Sequence, residues 1–281
     1  MESFGARLRA AVASRGPLCV GIDPHAELLA RWGLTDDADG LAEFSRTVTE
    51  ALADRVAIFK PQSAFFERFG SRGIAVLETT IRRLRRAGAL VLLDAKRADI
   101  GSTTAGYAAA YLDPASPLSV DAITANPYLG VGALRPMMER ARAHGGGVFV
   151  LAMTSNPEAA AIQQATTADG RSVAQLVVDE ISQLNEGVAA GSFGVVVGAT
   201  VGESAPDLSR LQGPILAPGI GAQGATAADL RAVFGAQLPA VLPSTSREVL
   251  SAGPDPTALQ EAAARSLAAC RRVLNGGDQP S

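Results

Sequence analysis

Lysine is scarce in this chain: of 25 basic residues 23 are arginine, and the only lysines are Lys60 and Lys96. A composition rich in alanine and arginine lets arginine serve wherever any surface cation will do. The two amines that remain are chemically distinct, because lysine can release its proton near neutral pH and arginine cannot. Lys96 stands in the run Asp94-Ala95-Lys96-Arg97-Ala98-Asp99. On a strand, residues two apart share a face, so Asp94 and Lys96 would point the same way. With Lys60 on a neighbouring strand and Asp99 just beyond, acids and bases alternate. Such a set needs that alternation, since leaving a buried ion unpaired costs on the order of several kcal/mol. The plainer alternative is a structural salt-bridge network in which Asp99 caps the helix starting near Ser102-Thr103. The gathering of both lysines in one place favours chemistry.

A second region suits an anion. The stretch Pro218-Gly219-Ile220-Gly221-Ala222-Gln223-Gly224 is glycine-rich, and its backbone amides could approach a phosphate closely. Farther on, Arg247 follows Pro243-Ser244-Thr245-Ser246 at a helix start. A cation there opposes the helix dipole unless an anion lies between them. The two regions together imply a ligand with a phosphate at one end and a reacting centre beside lysines and carboxylates. A lysine in such a centre acts either as proton donor or as Schiff-base nucleophile.

The elements that must position these groups can be read from hydrophobic runs. Eight short aliphatic stretches occur at 18–22, 56–60, 90–94, 120–124, 148–152, 194–198, 214–218 and 240–243. They lack polar alternation, as expected of strands buried on both faces of a parallel sheet. Helical patterns lie between them, at about 41–53, 72–87, 102–112, 132–143, 171–189, 204–211 and 226–235, and 246–274 is mostly helical with a break near Gly253-Pro254. Eight strand-then-helix units predict an α/β fold, a single-domain (β/α)8 TIM barrel over 1–274. An extra helix over about 3–14 would close the barrel floor, 153–170 is long enough for a lid, and 275–281 reads as a frayed tail. In this architecture chemistry sits at the C-terminal ends of the strands. Asp23, Lys60, Asp94, Asn126, Thr154-Ser155-Asn156 and Thr200 all fall there.

Composition narrows the function further. A net charge of -3 gives no basic excess for nucleic acid, and no apolar run approaches the ~18 residues of a membrane span. The N-terminal segment lacks the continuous apolar stretch of a secretory signal. Cys19 and Cys270 form neither a metal-ligand spacing nor a disulfide framework, and there are only two histidines. The expectation is a cytoplasmic enzyme working without metal or cofactor. His25 reads as a loop residue, His144 as a helix end, Cys19 as core packing, Trp32 as a loop anchor, and the arginines at 82, 83, 85 and 86 as a solvated helix face.

The residues also resemble a known family, orotidine 5′-phosphate decarboxylase. The motifs are Asp94-Ala-Lys96-Arg-Ala-Asp99-Ile100 with Thr103, together with VGIDP, IFKPQSAFFE, TANPYLG, VLAMTSNP and PGIGAQG. They run from about residue 18 to 250, and IFKPQSAFFE and TANPYLG resemble the longer, type 2 subclass. The Asp-x-Lys-x-x-Asp element alone is shared with sugar-phosphate decarboxylases and synthases of the same superfamily. The shorter branch reads Gly-Arg-Ser after its eighth strand, where this chain reads Thr-Ser-Arg. The resemblance implies cofactor-free loss of CO2 from orotidine monophosphate to give UMP, in de novo pyrimidine synthesis. It further implies Lys96 as proton donor to C6, Asp94 beside the substrate carboxylate, and Lys60 on the ribose hydroxyls. Asp23 would contact the ribose, Ser155 the pyrimidine edge, and Pro218, Gln223 and Arg247 the phosphate end; Asn126 is a further substrate-binding candidate. Asp99 and Thr103 would reach into the partner's site of a homodimer.

Overall fold

A computed structural model describes residues 1–219 and 227–274. Eight parallel strands close into a barrel in sequential order: β1 (Cys19–Ile22), β2 (Ile58–Pro61), β3 (Leu90–Arg97), β4 (Ala122–Ala125), β5 (Gly147–Met153), β6 (Phe193–Val197), β7 (Ile215–Pro218) and β8 (Val241–Thr245), with β8 pairing back onto β1. The fold is the expected (β/α)8 barrel. Among the described residues, twelve α-helices accompany the strands. They are α1 (Phe4–Arg15), α2 (Ala26–Arg31), α3 (Ala38–Leu52), α4 (Ser63–Glu67), α5 (Gly70–Arg86), α6 (Gly101–Leu112), α7 (Arg135–His144), α8 (Ala160–Gln163), α9 (Val173–Asn185), α10 (Ala227–Phe234), α11 (Arg247–Leu250) and α12 (Pro256–Leu274).

The strand residues sort by parity into two cores. Leu92, Ala122, Phe149, Val196, Leu216 and Leu242 face into the barrel, while Leu93, Ile123, Val148, Val195 and Ile215 face the helices. Both faces are dry, which is why the strands show continuous apolar runs. Phe4 and Leu8 of α1 plug the lower end, with Phe4 set edge-to-face on Phe149 at 5.9 Å. Gly147 makes room for this plug: a Cβ there would stand 2.4 Å from the Phe4 ring. Arg7 secures the helix by donating to buried Asp121 at 2.5 Å and to the Gly145 carbonyl at 2.7 Å.

Some expectations fail locally. Residues 204–211 form no α-helix; a short 3-10 turn over Gly202–Ser204 leads into irregular chain. Pro206 interrupts the segment, and buried Leu208 and Leu211 are anchors whose spacing imitates a helical face. Residues 153–170 hold a 3-10 turn and α8, and Gln163 ties them to the end of β5 by accepting the Thr154 N–H at 2.8 Å. Arg85 does more than face solvent, since it donates to the Ser119 carbonyl and lies 3.8 Å from Asp121. The tail 275–281 lies outside the described residues.

Candidate active site

At the C-terminal end of the barrel, the inward positions change from apolar to polar one layer above the core. A cavity of about 500 Å3 opens there, bounded by Asp23, Lys60, Asp94, Lys96, Ser155, Pro218 and Arg247 together with Thr124, Leu151 and Val196. Asp94 lies in its wall and joins both lysines. Lys60 Nζ is 3.1 Å from Asp94 Oδ2, and Lys96 Nζ is 2.5 Å from Oδ1. Thr124 donates to the same Oδ1 at 2.9 Å.

The two lysines differ in setting. Lys60 and Asp94 are buried, with 8% and 9% of their side chains exposed, whereas Lys96 keeps 44% exposed toward the open cavity. Burial works most strongly against the Lys60 charge, but Asp23 and Asp94 overcome it and hold the ammonium above the ordinary lysine range. Burial likewise pushes Asp94 up, while Lys60 and Lys96, with hydrogen bonds from Lys96 and Thr124, bring it down to about 2. Lys60 and Asp94 therefore stay ionised at neutral pH. Burial pushes the Cys19 thiol up to about 12, leaving it as inert packing.

The alternating array within one chain is Asp23, Lys60, Asp94, Lys96. Asp99 does not join it. It sits half-buried past the end of β3, with Oδ1 accepting the Ile100 N–H at 2.8 Å, and Thr103 is exposed on α6. Asn126 also stays out of the cavity lining, because its Oδ1 accepts the Tyr128 N–H at 3.0 Å and caps the turn after β4. Gln223 lies outside the described residues. Two residues that line the cavity carry unused bonding capacity. Among the described residues, buried Asp23 Oδ1 has no hydrogen-bond partner, a condition that a water or a ligand donor would relieve. Arg247, exposed at the start of α11, makes no salt bridge among the described residues.

Behind the site, α4 braces β3. Glu67 accepts from Arg97, the residue after Lys96, and from Ser63 at 2.5 Å. His25, read as a loop residue, does border the cavity and packs on Phe65 at 4.3 Å. Thr124 gave no sign in the sequence beyond its place in the TANPYLG motif.

A family model described as "Orotidine 5′-phosphate decarboxylase / HUMPS family" matches residues 16–263. The chain belongs to this family. It is 71% identical over 277 residues to the orotidine 5′-phosphate decarboxylase of Salinispora arenicola, covering 98% of this chain and all of the relative. A crystal structure of a candidate orotidine 5′-phosphate decarboxylase from Streptomyces avermitilis superposes with a TM-score of 0.95 at 59% identity, covering 98% and 97% of the two chains. The Leishmania donovani OMP decarboxylase gives 0.76 at 32% identity, covering 97% and 99%. Among the described residues, no helix of this family member is long and apolar enough to cross a membrane.

Proposed function

We propose that the protein decarboxylates orotidine 5′-monophosphate to UMP and CO2 in the cytoplasm, without metal or cofactor, and that Lys96 protonates C6. The observation that carries this reading is the placement of Lys96: an ammonium fixed by Asp94 on one side and open to the cavity on the other. Breaking the C6–carboxylate bond leaves its electron pair on C6, with no adjacent π-system to absorb it. A fixed ammonium stabilises that pair as it develops, then transfers a proton to C6. CO2 departs, and the neutral amine regains its proton from solvent.

The remaining groups bind and orient. Asp94 holds Lys96 and lies beside the scissile carboxylate. Lys60 and Asp23 address the ribose, where the unpartnered Asp23 Oδ1 can accept a hydrogen bond from a hydroxyl. Ser155 meets the pyrimidine edge, and Arg247 with the segment from Pro218 takes the phosphate. Binding energy from that remote phosphate can then support the reacting end.

The working unit in this reading is a homodimer in which Asp99 and Thr103 serve the partner's site. Their placement outside their own cavity supports it, as does the exposure of Ile100 (62%), Tyr128 (74%) and Leu129 (51%) on nearby segments.

The test is the ultraviolet absorbance of orotidine monophosphate mixed with purified protein in EDTA. Conversion to UMP undiminished by the chelator is expected. Conversion that EDTA abolishes would refute the metal-free reading, and no conversion by folded protein would refute the substrate and point to the sugar-phosphate branch of the superfamily.

A further inference from the structure

The backbone that carries Lys96 is irregular. Leu93 pairs with Ile123 and Arg97 with Ala125, so β3 advances four residues (93 to 97) while β4 advances two (123 to 125). Lys96 lies inside this bulge with φ of 47°, a left-handed conformation seldom adopted by residues other than glycine. Such a conformation persists only where the surroundings fix it. Opposite the bulge stands Thr124, 1% exposed. Its hydroxyl has one proton to give and lone pairs to accept, and both capacities are used. It accepts the Lys96 backbone N–H at 2.9 Å and donates to Asp94 Oδ1 at 2.9 Å. The same Oδ1 receives the Lys96 ammonium at 2.5 Å. The hydrogen bonds close a ring from the Lys96 backbone through Thr124 and Asp94 to the Lys96 side chain.

We infer that Thr124 is a positioning residue: one hydroxyl fixes the backbone of Lys96 and the carboxylate of Asp94 together, and so sets where the ammonium stands. Its kinetic consequence rests on the decarboxylase reading above; its geometric consequence does not. Thr124→Val keeps the side-chain shape and removes both hydrogen bonds, and Thr124→Ser keeps them. In wild type and both variants, kcat and KM for orotidine monophosphate would be measured beside crystal structures.

A displacement of about 1 Å in a reacting group can cost about 100-fold in rate, so kcat of Thr124→Val is expected to fall roughly 100-fold with KM little changed. Thr124→Ser should recover most of the loss, and Lys96 in the valine variant should leave the left-handed region. If valine is not accommodated, Thr124→Ala reads the same two hydrogen bonds. Wild-type kcat in the valine variant, an equal loss in the serine variant, or a change confined to KM would overturn the inference. So would a valine-variant structure in which Lys96 and Asp94 are unmoved. Failure of the wild type to convert the substrate would refute the reaction instead, and the crystallographic comparison would still decide the role of Thr124.

Discussion

Lys60 and Asp94 are buried ions, and each depends on the other. Asp94 titrates at about 2 in the fold against 3.8 as its ordinary value. Its ionised form therefore adds stability, on the order of 2 kcal/mol. Because the folded pKa is the lower one, that contribution is complete above 3.8 and is lost as the pH falls toward about 2. Urea midpoints of wild type and Asp94→Asn, followed from neutral pH into acid, should show a gap that closes over that range. A gap that stays constant on acidification would contradict the ion-pair account. At this scale the sequence was informative where residue type was scarce: with two lysines among 25 basic residues, their placement carried meaning. Threonine is common, so nothing distinguished Thr124 until the bulge beside it was seen. Asn126 follows a strand, where a turn cap and a ligand contact look alike in the sequence; in the fold its Oδ1 accepts the Tyr128 N–H.

The strands were the most legible elements, since burial on both faces writes unbroken aliphatic runs. The short helices α2 and α4 were not, because one or two turns leave no periodic pattern to read. Helix α1 was expected at the barrel floor, and the structure gives its mechanism: Phe4 is fully buried against Phe149 inside the lower core. Phe4→Ala should destabilise the protein by about 3–5 kcal/mol, as other buried phenylalanine truncations do. The plug lies at the opposite end of the barrel from the lysines, so turnover per folded molecule should be unchanged. Urea unfolding and turnover on one preparation check both parts. A catalytic loss at undiminished stability would mean that α1 reaches the site in a way the packing does not show.

At the scale of the whole molecule, one chain sets Lys60 and Lys96 on Asp94, with Asp23 acting on Lys60, but leaves Asp99 and Thr103 out of its own cavity lining. Residue spacing could not separate a fourth member of the array from a residue serving another chain, since both lie just past a strand end; only the family resemblance pointed to the partner's site. A two-fold dimer makes the distinction testable. Lys96→Ala and Asp99→Ala would each be assayed alone on orotidine monophosphate, then mixed under conditions that let subunits exchange. If Lys96 of one chain works with Asp99 of the other, each variant alone should be nearly inactive. Each mixed dimer should contain one site with both residues intact, and random exchange should restore about a quarter of wild-type sites. Turnover by Lys96→Ala alone at the wild-type rate would contradict the proton-donor role, and a mixture no more active than its parts would contradict the shared site.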